Sequence, residues 1–310
     1  GKSAERNIYM KTRLFKHYSK RDYKAFIYLM PWLIGLLVLQ IYPIVSSLYY
    51  SFTDYRIGGT PVWVGLQNYI RLFTEDSEFT KALAVTLRYT VTTVPLKLAL
   101  ALAIAMFLNR NIKGINLIRT VYYIPSLFGG SVAISLLWRV MFQDNGVINA
   151  FLGVFGMDPI SWLGDKRYAL NVICLLEIWQ FGSSMVMFLA ALKQVPSSLY
   201  EAASIDGAGK FTKFRKITFP QITPIIFFTL IMQLITALQA YTSAQVITNG
   251  GPLKSTYLLG MKLYAEGFSY FRMGYASAIS WIMFLIILII TLFLFATSKK
   301  WVHYEDEGDF

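Results

Sequence analysis

Two stretches of this chain carry no charged side chain over lengths that a water-soluble fold seldom sustains: Ala25 to Thr53, 29 residues, and Met273 to Ser298, 26 residues. A helix needs about 20 apolar residues to cross the roughly 30 Å hydrocarbon core of a bilayer, so each is long enough to span one. Four further segments extend the pattern. Pro220 to Ile247 lies within 37 uncharged residues between Lys216 and Lys254, and Thr120 to Trp138 supplies 19 more. Segments near 82–108 and 168–192 keep a high apolar density but contain Arg88 and Lys97 in one and Glu177 in the other. The expected fold is an all-α membrane protein of six transmembrane helices, at about 25–53, 82–108, 120–142, 168–192, 220–247 and 273–298, because only closed backbone hydrogen bonding is tolerated in lipid.

Composition agrees. Of 310 residues 55% are hydrophobic and only 15% charged, against about 25% charged in an ordinary soluble domain. The formal charge of +12 would suggest nucleic acid in a polar chain, but here its distribution carries a different meaning. With the N-terminus inside, segments 1–24, 109–119, 193–219 and 299–310 hold 18 Lys and Arg, whereas 54–81, 143–167 and 248–272 hold 8. Basic residues accumulate on the cytoplasmic side, so both termini are expected there, and no nucleic-acid partner is expected. The first apolar run begins after 24 residues and exceeds the h-region of a signal peptide, so it is expected to stay as a membrane helix. Before it, Tyr9, Phe15, Tyr18 and Tyr23 alternate with Lys and Arg. That segment reads either as an interfacial helix on the anionic inner surface or as a basic tail that only fixes topology. A single Cys174 and two distant histidines, His17 and His303, leave no disulfide, metal cluster or Cys/His pair to assemble.

One loop, 193–219, is long, basic and patterned. Ser198-x-x-Glu201 has capping-box spacing and predicts a helix start; Gly207 or Gly209 would supply its left-handed terminator. Phe211, Phe214 and Ile217 then recur every three residues among Lys210, Lys213, Arg215 and Lys216, predicting a second short amphipathic helix that leads to Pro220. A helix, glycine turn, helix unit of this kind suits a groove on a partner protein. For Glu201 the capping role and a docking role are compatible.

Glu201-Ala202-Ala203, Gly207 six residues after the Glu, Ile217 and Pro220 resemble the EAA signature of permease subunits of binding-protein-dependent ABC importers. PIVSSLYYSFTD (43–54), VGLQNYIRLF (64–73), RTVYYIP (119–125), TNGGP (248–252) and the 264–278 stretch resemble its carbohydrate branch, the maltose and glycerol-phosphate type, so the likeness covers about 25–298. It lacks that type's large external insertion. The resemblance implies a bacterial cytoplasmic (inner) membrane location, a second permease subunit that is a different, related chain, two ATPase subunits and an extracytoplasmic solute-binding protein. It makes Glu201, Ala202, Ala203, Asp206 and Gly207 the ATPase-coupling residues, and brings Asn249, Gly250, Gly251 and Pro252, a tight turn by composition, near the docking surface of the binding protein. ATP and Mg belong on the partner ATPase. This chain has no GxxxxGK[ST] loop and is expected to bind no cofactor and to be no enzyme.

Ionisable groups at membrane depth face a cavity or one another. Arg88 and Arg139 lie near helix ends, where long side chains snorkel; Lys97 and Glu177 lie deeper, as a structural pair or as pathway lining. Trp179, Gln180, Gln233, Gln239, Tyr241, Thr242 and Gln245 offer aromatic faces and hydroxyl-binding amides to a sugar, or equally helix packing. Three cations against one anion at depth suit an acidic, uronate-type oligosaccharide. The expected function is ATP-driven carbohydrate import by alternating access, with Lys97, Arg139, Glu177, Trp179, Gln180, Gln239 and Tyr241 along the path. The alternatives are an ion-coupled secondary transporter of small solutes, for which only one membrane carboxylate is at hand, and a membrane enzyme, for which no catalytic constellation can be assembled.

Overall fold

A computed structural model describes residues 20–110 and 113–303. Residues 1–19, on which the interfacial reading of the N-terminal segment mainly rests, and 304–310 of the tail lie outside the described residues. The chain opens with α1 (Lys20–Leu36), a π-helical turn (Leu37–Ile41) and α2 (Tyr42–Ser51), the turn coming just before Pro43. A two-stranded hairpin follows, β1 (Thr53–Asp54) antiparallel to β2 (Val62–Trp63), with Thr53 opposite Trp63. Then come α3 (Gln67–Thr74) and the long α4 (Ser77–Leu108). Asp76 starts α4 by accepting the Phe79 amide at 2.9 Å, and Glu78 adds negative charge to its first turn. The next elements are α5 (Ile115–Leu127), α6 (Val132–Met141), α7 (Val147–Val154), α8 (Ala169–Trp179) and α9 (Gly182–Gln194). After them come α10 (Ser197–Ile205), α11 (Lys210–Lys213), α12 (Phe219–Leu238), α13 (Thr242–Ile247), α14 (Leu259–Tyr264) and α15 (Met273–Ser298).

Among the described residues four helices are each long and apolar enough to cross a membrane: Ile27–Ser51, Ser77–Leu108, Lys210–Leu238 and Met273–Ser298. Two helix pairs reach that length only when taken together, and both are bent. The expected span 120–142 is two helices, α5 and α6, meeting at 99°; the expected span 168–192 is α8 and α9, meeting at 42°. Pro125 in the last turn of α5 and the Gly129-Gly130 pair behind it account for the sharper bend, Gly130 taking φ +70° where a side chain would be strained. Ser131 then caps α6 toward Ile134. The expected span 220–247 also breaks, at Gln239 to Tyr241, between α12 and α13.

α4 runs through the centre, packed on α8, α9 and α12. Its fully buried Ala101 and Ala105, four residues apart, let the neighbouring backbones approach closely. One core, with Tyr89, Ile173, Met185, Phe188, Ile222 and Ile247, occupies this crossing; a second, with Leu72, Phe79, Leu259, Tyr275 and Ile279, sits at the start of α4. α2 lies along α15, where the Trp281 indole donates to Ser47 Oγ at 3.3 Å. The VGLQNYIRLF stretch acts as a brace. Asn68 Nδ2 donates to the carbonyls of Ser51 and Thr53, both at 2.9 Å, and Tyr69 Oη donates to Ser51 Oγ at 2.7 Å. These bonds close the end of α2 and fix the hairpin.

Candidate functional site

The three helix breaks converge. A cavity of about 440 Å³ is walled by Ser126, Gly129 and Gly130 at the α5/α6 bend, by Glu177, Gln180 and Ser183 at the α8/α9 bend, and by Gln239, Ala240 and Tyr241 at the α12/α13 break. Tyr89 and Lys97 of α4, Ser135 of α6, Gln233, Thr236 and Ala237 of α12, and Thr242 and Ser243 of α13 also line it. Irregular backbone at membrane depth is tolerated where it lines such a space, because water or a polar ligand satisfies the exposed amides and carbonyls. Of the expected pathway residues, Lys97, Glu177, Gln180, Gln239 and Tyr241 face it, while Arg139 and Trp179 do not.

Lys97 and Glu177 pair directly, Nζ to Oε1 at 2.6 Å. Lys97 is only 5% exposed, and a charge so buried needs an opposite charge beside it. The cationic excess expected at depth is therefore absent from this cavity, whose Lys97 is matched by Glu177. Arg88 is exposed. Trp179 packs against Trp138 with tilted rings and centroids 5.6 Å apart, and Trp138 donates its indole N–H to the Val172 carbonyl at 3.1 Å, so this pair is helix packing. Gln233 donates to Ser184 Oγ at 3.3 Å, and Gln245 to Asn249 Oδ1 at 2.7 Å. Tyr241 continues into an aromatic row, Tyr264 at 5.0 Å and then Phe268 at 5.1 Å. Sequence reasoning missed Tyr89, Ser135 and the glycine pair. Gly-Gly followed by Ser inside an apolar stretch was the available signal, since only a cavity-lining break rewards it there.

The 193–219 loop lies at one end of the bundle. α10 begins at Ser197 behind Pro196, with no side-chain cap bond. The expected Ser198–Glu201 capping box is thus not formed: with Ser197 already helical, Ser198 sits inside the first turn and its hydroxyl cannot reach the cap position. The glycine terminator does form. Gly207 takes φ +74°, its amide donates to the Ser204 carbonyl at 3.1 Å, and the Ala208 amide donates to the Ala203 carbonyl at 2.9 Å, which is the Schellman pattern. The expected second short helix is not separate either. Lys210–Lys213 passes through a π-helical turn (Phe214–Thr218) directly into α12, the widened turn coming just before Pro220 withholds its amide. The two arms are tied by Tyr200 Oη and Thr218 Oγ1 at 2.8 Å and by Lys213 Nζ donating to Ser204 Oγ at 2.6 Å. Glu201, Ala202, Asp206 and Gly207 are exposed and Ala203 partly so, with Ile205 88% and Phe211 74% exposed beside them.

At the other end, the 248–257 turn has left-handed backbone at Asn249, Gly250, Leu253 and Lys254 and a cis Gly251–Pro252 bond. It is held by Thr248 and Thr256 hydroxyls at 2.7 Å, by Thr256 donating to the Gly251 carbonyl at 2.8 Å, by Lys81 donating to the Leu253 carbonyl at 2.6 Å, and by a Lys254–Glu78 pair. Next to it the buried Lys262 bonds Asp76 at 2.8 Å and Glu266 at 3.2 Å, Arg272 meets Glu266 at 3.5 Å, and Tyr275 Oη donates to Asp76 at 2.7 Å. Burial pushes the Asp76 carboxyl up, but the bonds from Lys262, Tyr275 and the Phe79 amide outweigh it and hold the group below the ordinary carboxylate range. Among the described residues no three His, Cys, Asp or Glu side chains are grouped to hold a metal.

The family of inner-membrane components of binding-protein-dependent transport systems matches residues 97–302. A Bacillus subtilis protein described as a probable ABC transporter permease, YesP, is 46% identical over 293 residues, 94% of this chain and 95% of that one. AmyD of Thermoanaerobacterium thermosulfurigenes, described as a probable permease of a transport system for starch degradation products, is 30% identical over 280 residues, 88% of this chain and 94% of that one. Among solved structures, a chain of a bacterial alginate ABC transporter in complex with its alginate pentasaccharide-bound periplasmic protein superposes with a TM-score of 0.78 at 24% identity, covering 91% of this chain and 96% of that chain.

Proposed function

This chain belongs to the family of inner-membrane components of binding-protein-dependent transport systems, and we propose that it is one of two permease subunits of an ATP-driven importer of oligosaccharides. A second, related chain supplies the other half of the path. Two ATPase subunits, which bind ATP and Mg, dock on the 193–219 loop through Glu201, Ala202, Ala203, Asp206 and Gly207. A solute-binding protein outside the membrane approaches the 248–257 turn, and both termini of this chain are cytoplasmic.

One observation carries the reading. The second arm of the loop runs without interruption into the wall of the cavity, as a single helix of 29 residues, Lys210–Leu238, whose last turns contribute Gln233, Thr236 and Ala237 to the lining. Motion imposed on the exposed loop is therefore delivered to the cavity, which is what alternating access driven by a partner requires. The cavity itself offers amides, hydroxyls and a tyrosine ring, groups that match the hydroxyls and apolar faces of a sugar. Relatives named for starch degradation products and for alginate support a saccharide cargo. An ion-coupled transporter is not favoured, because Glu177, the one carboxylate among the described residues that lines the main cavity, is committed to Lys97.

The test is co-expression with candidate ATPase, permease and binding-protein partners. Binding-protein-stimulated ATP hydrolysis and saccharide uptake are expected, with the ATPase lost from the purified complex in Glu201→Arg. Uptake by this chain alone, driven by an ion gradient, would overturn the proposal.

A further inference from the structure

Arg139 does not face the main cavity; it lines a second one, of about 330 Å³, together with Gln143, Asp144, Ser161 and Thr248. Two elements connect the spaces. On α6, Ser135 faces the main cavity and Arg139, four residues later, the second; residues at that interval share one helix face and are about 6 Å apart along the axis. On α13, Thr242 and Ser243 line the main cavity and Ile247, with Thr248 just past the helix end, the second, a rise of about 6–8 Å along the helix to Ile247. α6 and α13 pack on each other, so the two cavities are stations along one seam, on the scale of a disaccharide apart. The second station is the one nearer the 248–257 turn.

We propose that this second cavity is an outer saccharide subsite in which Arg139 binds a carboxylate on the sugar, so that it favours acidic over neutral oligosaccharides. The inference rests on the reading of this chain as an oligosaccharide permease. The two cations available along the seam differ in what they have left to offer. Lys97 is spent on Glu177 at 2.6 Å. Arg139 makes one long contact among the described residues, Nη1 to the Val246 carbonyl at 3.4 Å, and is exposed. Its fork of N–H donors is open to the bidentate geometry that a carboxylate prefers. Asp144 in the same wall carries the opposite charge. It accepts hydroxyl protons and repels a misplaced carboxylate, which fixes the orientation in which an acidic ring enters. Gln143 and Ser161 supply neutral donors and acceptors between them.

The experiment compares one oligomer in two forms, trigalacturonate and its methyl ester, titrated calorimetrically into the permease pair with its ATPases in nanodiscs. Rings, length and linkage are the same; the ester removes the negative charge and adds one methyl group per carboxyl. The wild-type complex is expected to bind the acid at least ten-fold more tightly than the ester. Arg139→Gln should lower acid binding to about that of the ester, so that the preference is lost, with an unchanged melting temperature of the complex showing that the variant is folded, and Arg139→Lys should restore part of it. Equal affinity of the wild type for both forms, an equal loss of both in Arg139→Gln, or no binding of either form by a complex that imports another saccharide would overturn the inference and leave the permease reading standing. A complete complex that imports no member of a mixed saccharide pool would overturn the permease reading itself.

Discussion

Lys97 on α4 and Glu177 on α8 hold each other at 2.6 Å in the wall of the main cavity, where α4 meets the bend between α8 and α9. Removing one partner leaves a charge that neither lipid nor core can solvate. Lys97→Met is expected to destabilise the assembled complex by about 2–4 kcal/mol, toward the lower part of the range for breaking a buried pair because Glu177 keeps some contact with cavity water. Lys97→Met with Glu177→Leu should recover much of that stability without recovering transport. Thermal unfolding of the purified complex, read beside uptake, separates the two effects.

Gly207 holds φ +74° at the end of α10. Gly207→Val puts a branched side chain where even alanine is strained, at a cost of roughly 1–2 kcal/mol. In a helix of nine residues that is enough to fray the last turn, where Asp206 lies. Gly207→Asn, which tolerates the left-handed region, should be milder. The measurement is the amount of ATPase retained on affinity-purified permease, expected to fall in the order Gly, Asn, Val.

The Tyr200–Thr218 hydroxyl bond joins the two arms of the loop. Tyr200→Phe keeps the ring and loses the bond, a change worth about 1 kcal/mol. Binding of the ATPase should survive, since α10 keeps its shape, while sugar transported per ATP hydrolysed falls. An unchanged ratio would remove this contact from the coupling route.

Asp76 titrates below the ordinary carboxylate range, burial opposing and the Lys262, Tyr275 and Phe79 bonds prevailing. A carboxyl whose folded pKa is depressed adds stability above its unfolded value, about 3.9, and loses that contribution as pH falls through the folded value. Asp76→Asn, which preserves a cap for α4, should therefore be less stable than wild type at neutral pH. The difference in melting temperature should close below roughly pH 4.

The long uncharged runs were legible because lipid imposes one rule on every residue within it. Straight and broken helices obey that rule equally, so 120–142 reads as one span although α5 and α6 meet at 99°. Hydropathy records how much apolar surface a segment has, and direction is set by tertiary contacts at Gly129-Gly130. The pairing of Lys97 with Glu177 was open to sequence reasoning because two opposite charges at depth have few other options. Arg139 was set apart from them by its place near a helix end, but that it lines another cavity was not legible, since this depends on how α13 packs against α6. In the loop, Gly207 was readable from its backbone demand alone, whereas the capping box failed because Pro196 had already set the helix start two residues earlier.

The unbroken helix from Lys210 to Leu238 has one further consequence, which is one of amplitude. A rod of 29 residues is about 43 Å long, so a tilt of about 5° around its loop end sweeps the far end through roughly 4 Å. That is comparable with the width of a sugar ring. An opening large enough to admit or release cargo then needs no helix to bend or melt, and small rotations of whatever grips the loop suffice.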